Sequence, residues 1–444
     1  MKNSGRPIAI DLFAGAGGMS LGFERAGFDV VAAVEIDPVH ASVHKFNFPE
    51  CAVIPKSVVG LTADEIRAIA GIGNAEVDVV FGGAPCQGFS LIGQRAIEDP
   101  RNQLVKEFVR IVCDLNAKTF VFENVKGLTL GKHKKFLEEL IAEFQRKGYD
   151  VQHQWKVLNA VNFGVPQSRE RLFLLGVKSG FTVPEYPNST HSAPKEDKNP
   201  DLCAYVSCGE AISDLPDAEK FPELENSDQV AIRDWKPVNR YAKSMRCLTN
   251  DAWGNGYRRN WDACILTSSM RTNHTEISKR RFGETKAGAV EPVSRFFKLH
   301  PNGVSNTLRA GTDAARGAFT SPRPIHYAYN RCVTVREMAR LHSFPDWFRF
   351  HGTKWHGARQ IGNSVPPLLA EAVAAKIMSV LGVNVVRPER VLSLGNLNLL
   401  RFDMREASRF WGVESPIGKR NKKSGSHKRK QHQVEADRLV GSLE

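Results

Sequence analysis

Four short segments hold the residues best suited to chemistry. The run Asp11-Leu12-Phe13-Ala14-Gly15-Ala16-Gly17-Gly18 takes an apolar stretch into a glycine-rich turn. Glycines let a backbone approach a ligand closely, and a helix starting there offers free amides. Glu35 follows Gly15 by twenty residues, where an acid can accept hydrogen bonds from ribose hydroxyls. Ser20 stands where a dinucleotide fingerprint has its third glycine, so a plain tight turn explains the run as well. The second segment is Gly83-Ala84-Pro85-Cys86-Gln87-Gly88-Phe89-Ser90. A thiol there can be a nucleophile, but at its ordinary pKa only about 3% is thiolate at pH 7. A buried inert cysteine is the commoner alternative. In the third, Phe120-Val121-Phe122-Glu123-Asn124-Val125, a carboxyl ends an apolar run and can hydrogen-bond or protonate a heterocycle. Asn124 as a helix cap is equally open. In the fourth, alternation puts Gln167, Arg169 and Arg171 on one face of an extended segment. Paired guanidiniums suit a phosphate, or a carbonyl with a carboxylate; a surface ladder with Glu170 is the bland reading.

These segments need elements to hold them. Strand patterns cover Ile8–Ala14, Asp29–Val34, Val77–Phe81, Thr119–Phe122, Val151–Val157 and Arg171–Val177. Helical patterns fall between them at Met19–Ala26, Pro38–Phe46, Leu104–Leu115 and His133–Arg146. Such alternation predicts an α/β fold with a parallel, doubly wound sheet, and each chemical segment then opens at a strand end. From about residue 179 to 325 prolines, glycines and polar residues dominate, which predicts a smaller, irregular domain. Helical patterning returns at Glu337–Leu341 and Pro367–Leu381. The expected division is 1–178, 179–325, 326–385 returning to the first unit, and a 386–444 extension ending in a disordered tail.

With 444 residues, 42% of them hydrophobic and 25% charged, the chain has ample core material. That excludes collagen, wholesale disorder and a membrane bundle; no apolar run reaches about 18 residues. The start lacks a signal-peptide pattern, so the expected compartment is the cytoplasm. The net charge of +13 predicts an anionic partner, nucleic acid first. Residues 418–444 carry +5 of it, and the body stays basic without them. The eight cysteines show no metal-ligand spacing and read as free thiols.

Order decides between the readings. The glycine turn, Pro85-Cys86, Glu123-Asn124-Val125 and Gln167-Ser168-Arg169-Glu170-Arg171 come in sequence. They are followed by Arg331-Cys332-Val333-Thr334-Val335-Arg336-Glu337 and Gly362-Asn363-Ser364-Val365-Pro366-Pro367. In this the chain closely resembles the cytosine-5 DNA methyltransferase family, bacterial modification-methylase type, over residues 6–177 and 306–380. The resemblance implies a Rossmann-like methyltransferase fold with a target-recognition domain. It implies S-adenosylmethionine as cofactor, no metal, and double-stranded DNA as partner. Cys86 matches the nucleophile, Glu123 the cytosine-binding acid, Arg171 the arginine beside the base, and Arg169 a supporting group. Phe13 matches the aromatic on adenine, Gly15 and Gly17 the cofactor loop, and Glu35 the ribose acid. Leu104, Asn363 and Val365 match further contacts, and Asp11, Gly18, Ile36, Ser57, Val58, Pro85 and Ser364 complete the cofactor set. Ser57 replaces a common Asp, and Ile36 a common large aromatic.

The same resemblance makes Ser90–Arg101 the clamp over a flipped base, with Ser90, Gln94 and Arg95 at the DNA. Gln167, Thr307 of the Thr307-Leu308 pair, Arg271, Lys279, Arg280 and Arg281 are the other expected DNA contacts, with Asn273 and His274 beside Arg271; a solvated face explains the basic cluster as well. The expected protein is a monomer, away from membranes, with a cognate restriction or defence protein as a further partner. An RNA cytosine-5 methyltransferase, a catalytically silent DNA-binding homologue and a nicotinamide oxidoreductase are the rivals. The intact Cys86, Glu123 and Arg171 disfavour the silent homologue; the missing glycine disfavours the oxidoreductase.

Overall fold

The structure is a computed structural model that describes residues 5–85, 102–131, 133–193, 201–233, 235–311 and 322–414. Eight strands form the central sheet: β1 (Ile8–Leu12), β2 (Asp29–Val34), β3 (Ala52–Ile54), β4 (Val79–Gly82), β5 (Thr119–Val125), β6 (Tyr149–Val151), β7 (Lys156–Asn159) and β8 (Glu170–Lys178). Their order is β3-β2-β1-β4-β5-β8-β6, with β7 also on β8. The first five strands are parallel. The expected all-parallel sheet is corrected at one edge: β8 runs antiparallel to β5, β6 and β7. The predicted single strand at 151–157 is two strands, because Gln154 turns into the left-handed region at φ 66°. Short β3 and the helix after it had too little periodicity to be read from sequence.

Sheet residues alternate between two cores. Ala9, Ala33, Phe81, Val121 and Phe173 face one side, and Ile10, Val80, Phe120, Phe122 and Leu174 the other. The second side is covered by α3 (Ala63–Ala70), α4 (Gln103–Asp114) and α5 (His133–Arg146). The first is covered by α1 (Gly18–Ala26) and by helices from the far end of the chain. The remaining helices, in chain order, are α2 (Pro38–Asn47), then α6 (Cys208–Ile212), α7 (Arg240–Met245), α8 (Glu276–Glu284), α9 (Val335–Leu341), α10 (Lys354–Asn363), α11 (Pro367–Leu381) and α12 (Met404–Trp411). Lys354–Leu381 is apolar and long enough to cross a membrane by composition, but it breaks at Ser364–Pro366 and α11 packs on α1. Gly22 makes that crossing close: a Cβ there would lie 2.4 Å from Ala370 Cβ.

The stretch from 201 to 311 is irregular, as its composition predicts. Buried ion pairs hold it to α9. Arg340 pairs with Asp214 and Asp346, and Arg331 with Asp217 and Glu337. Arg336 hydrogen-bonds Thr267. The motif containing Arg331, Thr334 and Glu337 is thus a structural joint, with Thr334 and Glu337 closing a capping box on α9. The seven described cysteines are unbridged.

Candidate functional site

The parallel strands β1, β2, β4 and β5 all end on one edge of the sheet, and the candidate residues follow those ends. After β1 the chain enters the left-handed region at Phe13, φ 66°, and again at Gly15 and Gly17. For Phe13 this backbone costs about 1–3 kcal/mol and persists only where its surroundings enforce it. Ala14 N–H donates to Val34 O at 3.0 Å, tying the turn to β2. The Glu35 carboxylate accepts from Gly15 N–H at 2.7 Å and from Asp37 N–H at 2.8 Å. Burial pushes Glu35 upward from the usual carboxylate range, and the nearby Asp37 adds to this, while His40 opposes it. Gly17 needs its missing side chain, since a Cβ would lie 2.5 Å from the Phe48 ring. A Cβ on Gly18 would lie 2.5 Å from Val365 O, so the turn presses on the loop at 363–365. Ser364 and Val365 are buried there, and Asn363 is exposed. Phe13 and Leu104 are partly buried against the core on the other side of the sheet from Val365, and Val58 is inside that core. Ile36 is 56% exposed beside Glu35. Ser57 accepts the Val59 amide at 3.1 Å. Asp11 lies beneath the turn, 1% exposed, accepting from Ser20 Oγ at 2.5 Å. Burial pushes it up to about 8. Ser20, which weakened the dinucleotide reading, is therefore the partner of Asp11.

A second cluster sits at the ends of β4 and β5. Val125 stands opposite Arg171 and Glu123 opposite Phe173, so Glu123 and Arg171 share a face. Arg171 Nε lies 3.0 Å from Glu123 Oε1. Burial pushes the Glu123 carboxyl up, and the charges of Arg171 and Arg169 pull it back. Gly83 lets the loop after β4 pass against this carboxyl, since a Cβ would lie 2.5 Å from Glu123 Oε2. Asn124 Nδ2 donates to Ala84 O at 3.0 Å, which anchors that loop just before the exposed Pro85. The cap reading of Asn124 fails: the following 3-10 turn, Lys126–Thr129, has no side-chain cap. Cys86, Ser90, Gln94 and Arg95 lie outside the described residues.

Comparison with known proteins decides the family. Residues 8–379 match the family described as C-5 cytosine-specific DNA methylase. The chain belongs to that family. It is 56% identical over 412 residues to a Type II methyltransferase, M.XorII, of Xanthomonas oryzae pv. oryzae, covering 93% of this chain and 94% of that protein. It is 36% identical to M1.HphI of Haemophilus parahaemolyticus, covering 83% and 86%. A prophage-encoded DNA modification methyltransferase of E. coli has a similar structure, TM-score 0.67 at 31% identity, covering 85% of this chain and all of that one.

In this methylase several expected contacts take other partners. Gln167 is fully buried: its amide nitrogen lies 2.8 Å from His342 Nδ1, and its oxygen accepts Leu308 N–H. It is a bridge inside the protein in this structure, not a surface group facing DNA. Arg169 is 1% exposed and donates to the carbonyls of Leu308, Gly362 and Ser364. It ties the 363–365 loop to the Glu123 cluster, and its charge acts on the Glu123 carboxyl. Thr307 is exposed and donates to Ser168 O at 2.8 Å. Arg271 and Asn273 both hold Glu225, and His274 accepts the Cys332 amide. Lys279 pairs with Glu276 and Arg281 with Glu291, while Arg280 is exposed on α8. Sequence reasoning missed His342, because a lone buried histidine carries no local signal. Its Nε2 lies 3.0 Å from Ser364 O, so it joins Gln167 to the cofactor-side loop.

Proposed function

We propose that this methylase transfers a methyl group to carbon 5 of a cytosine flipped out of duplex DNA, through a covalent Cys86 adduct. The observation that carries this reading is the buried Glu123–Arg171 pair directly beside the loop leading to Cys86. Burial favours the protonated carboxyl of Glu123, and a protonated carboxyl can donate to ring nitrogen 3 of cytosine. Arg171 holds that carboxyl in place. Attack of the Cys86 thiolate forms an Sγ–carbon 6 bond and moves the electron pair of the 5–6 double bond toward carbon 5. Proton donation to nitrogen 3 stabilises the developing charge. Loss of the carbon 5 proton after transfer returns the electron pair and breaks the Sγ–carbon 6 bond, nitrogen 3 gives its proton back to Glu123, and the ring is restored. Carbon 6 is out of reach in a stacked duplex, so the base leaves the helix at a cost of a few kcal/mol.

The glycine turn fits S-adenosylmethionine. Glu35 would take its ribose, Phe13 and Ile36 offer apolar surface to its adenine, and Gly18 keeps the 363–365 loop close. When bound, it supplies an electrophilic methyl carbon. Asp11, Ser57, Val58, Pro85, Leu104 and Asn363 complete the proposed cofactor set. Residues 179–325 would select the DNA site, and Ser90, Gln94 and Arg95 would contact the opened duplex. Arg280 and Thr307 are the other exposed candidates there. The Type II names of the relatives support pairing with a restriction enzyme in a bacterial cytoplasm.

The test is trapping on duplex DNA carrying 5-fluorocytosine at a verified target site. The fluorine cannot leave as a proton does, so the adduct should accumulate as a denaturant-stable conjugate. Cys86→Ala should give none. A wild-type enzyme that methylates the normal site yet forms no conjugate overturns the covalent route.

A further inference from the structure

The family match ends at residue 379, yet the chain continues in ordered contact with the catalytic body to residue 414. We propose that residues 386–411 are a strap that positions both halves of the cofactor site. The inference rests on the cofactor reading above.

The strap is held along its length. Arg387 donates to Gly254 O and Asn250 O, and residues 391–393 pair in parallel with 258–260. Gly395 N–H donates to Phe46 O in the last turn of α2 at 2.8 Å. The approach is close enough that a Cβ on Gly395 would lie 2.8 Å from Phe46 Cα. Leu399, Leu400 and Ala407 are buried.

From there two routes lead to the cofactor residues. Trp411 Nε1 donates to Ser42 Oγ at 3.0 Å, and Ser42 Oγ donates to Pro38 O at 2.8 Å. Pro38 opens α2, and its neighbour Asp37 caps that helix while donating its N–H to Glu35. The other Glu35 oxygen holds Gly15. The chain of hydrogen bonds thus runs from the last helix of the strap to the first turn of the helix that orients the ribose acid. The second route goes through the approach to α10. Leu400 O accepts Gly352 N–H at 2.8 Å, and Phe402 O lies 3.1 Å from His351 Nε2. α10 starts three residues after His351 and ends at Asn363, beside the loop that presses on Gly18. One segment therefore grips the elements carrying Glu35 and those carrying residues 363–365. A covering role alone would need apolar packing only; the links to Pro38, Gly352 and His351 are polar and directional.

The test is titration calorimetry of full-length protein with S-adenosylmethionine alone, alongside thermal melting. Trp411→Phe keeps the ring and removes the donor. Ser42→Ala cuts the same link from the other end. Each should weaken binding roughly 2- to 10-fold, the span that loss of one hydrogen bond allows. The double variant should be no weaker than Ser42→Ala, because both break one connection. Gly395→Val, which drives the strap off α2, should weaken binding at least as much. Arg405→Ala, exposed on α12, is the control and should bind as wild type. Unchanged affinity with a lowered melting temperature would overturn the proposal and leave a covering role. Independent, additive losses in the double variant would overturn it too. A wild type that binds no S-adenosylmethionine would sink the cofactor reading, and this inference with it.

Discussion

Two carboxylates, Asp11 near the end of β1 and Glu123 near the end of β5, are buried alike but serve different ends. Glu123 keeps a guanidinium at 3.0 Å, and its burial outweighs that charge. Asp11 accepts from the Ser20 hydroxyl and has no paired cation among the described residues; burial, with the nearby Glu35 carboxylate adding to it, lifts it to about 8. The raised value sets a sign. The unfolded chain releases the Asp11 proton near 3.8, whereas the folded chain holds it to about 8. The stabilisation this gives is complete below the unfolded pKa and is lost as pH rises through the folded one. Asp11→Asn should remove that slope. Wild type should lose on the order of 2–5 kcal/mol more than the variant between pH 4 and pH 9, read by urea unfolding at each pH. Parallel curves would refute the assignment. Of the single residues, Glu123 and Glu35 were legible because a charged group ending an apolar run is rare. Gln167, expected at the DNA, instead lies buried beside Arg169, because alternation gives a side, not a depth. Inside, His342 and the Leu308 amide hold Gln167, and backbone carbonyls accept from the two terminal nitrogens of Arg169.

At the scale of elements, the helices with sharp punctuation were read to within a residue or two. Asp37 before Pro38 starts α2, and Gly27 and Gly382 end α1 and α11 in left-handed turns. α3, α6, α7, α8, α10 and α12 were missed; each is short or carries mixed periodicity. The α1–α11 crossing joins the two blocks that the intervening region separates in sequence. Since a methyl group at position 22 meets Ala370 Cβ and the Pro367 carbonyl, Gly22→Ala must part the helices. A cost of about 1–3 kcal/mol is expected, measured by thermal melting. Weaker S-adenosylmethionine binding should accompany it, because α1 begins at the glycine turn and α11 follows residues 363–365. A variant as stable as wild type would show that the crossing is looser than its geometry.

At the scale of the whole molecule, charge is used in two ways. Inside, Arg331, Arg340 and their acids lock the late helices to the irregular region. Glu337 accepts two guanidinium bonds and the Thr334 amide, and its pKa falls to about 2 despite burial. Glu337→Gln leaves Arg331 with Asp217 as its acidic partner among the described residues. The loss should be about 3–5 kcal/mol, seen as a lower melting temperature, and a neutral effect would mean Asp217 suffices. Outside, the excess of cations should set the salt dependence of DNA binding. Deleting residues 418–444, which carry +5, should flatten the plot of log affinity against log salt while leaving the methylated sequence unchanged. A changed site would show that the tail reads bases.

The sequence by itself determined the family, the alternation of strands and helices, and the order in which chemical groups reach the strand ends. Those features are local: glycines at a turn, a proline before a thiol, an acid after an apolar run. Only the tertiary structure decided that β8 inserts antiparallel. That insertion puts Arg171 beside Glu123, two groups 48 positions apart in the chain. It also decided that Gln167, Arg169 and His342 form an interior joint, and that a stretch beyond the family match wraps α2. Periodicity reports which side of an element is apolar. It is silent on which distant segment will cover that side, since pairing depends on contacts between residues hundreds of positions apart.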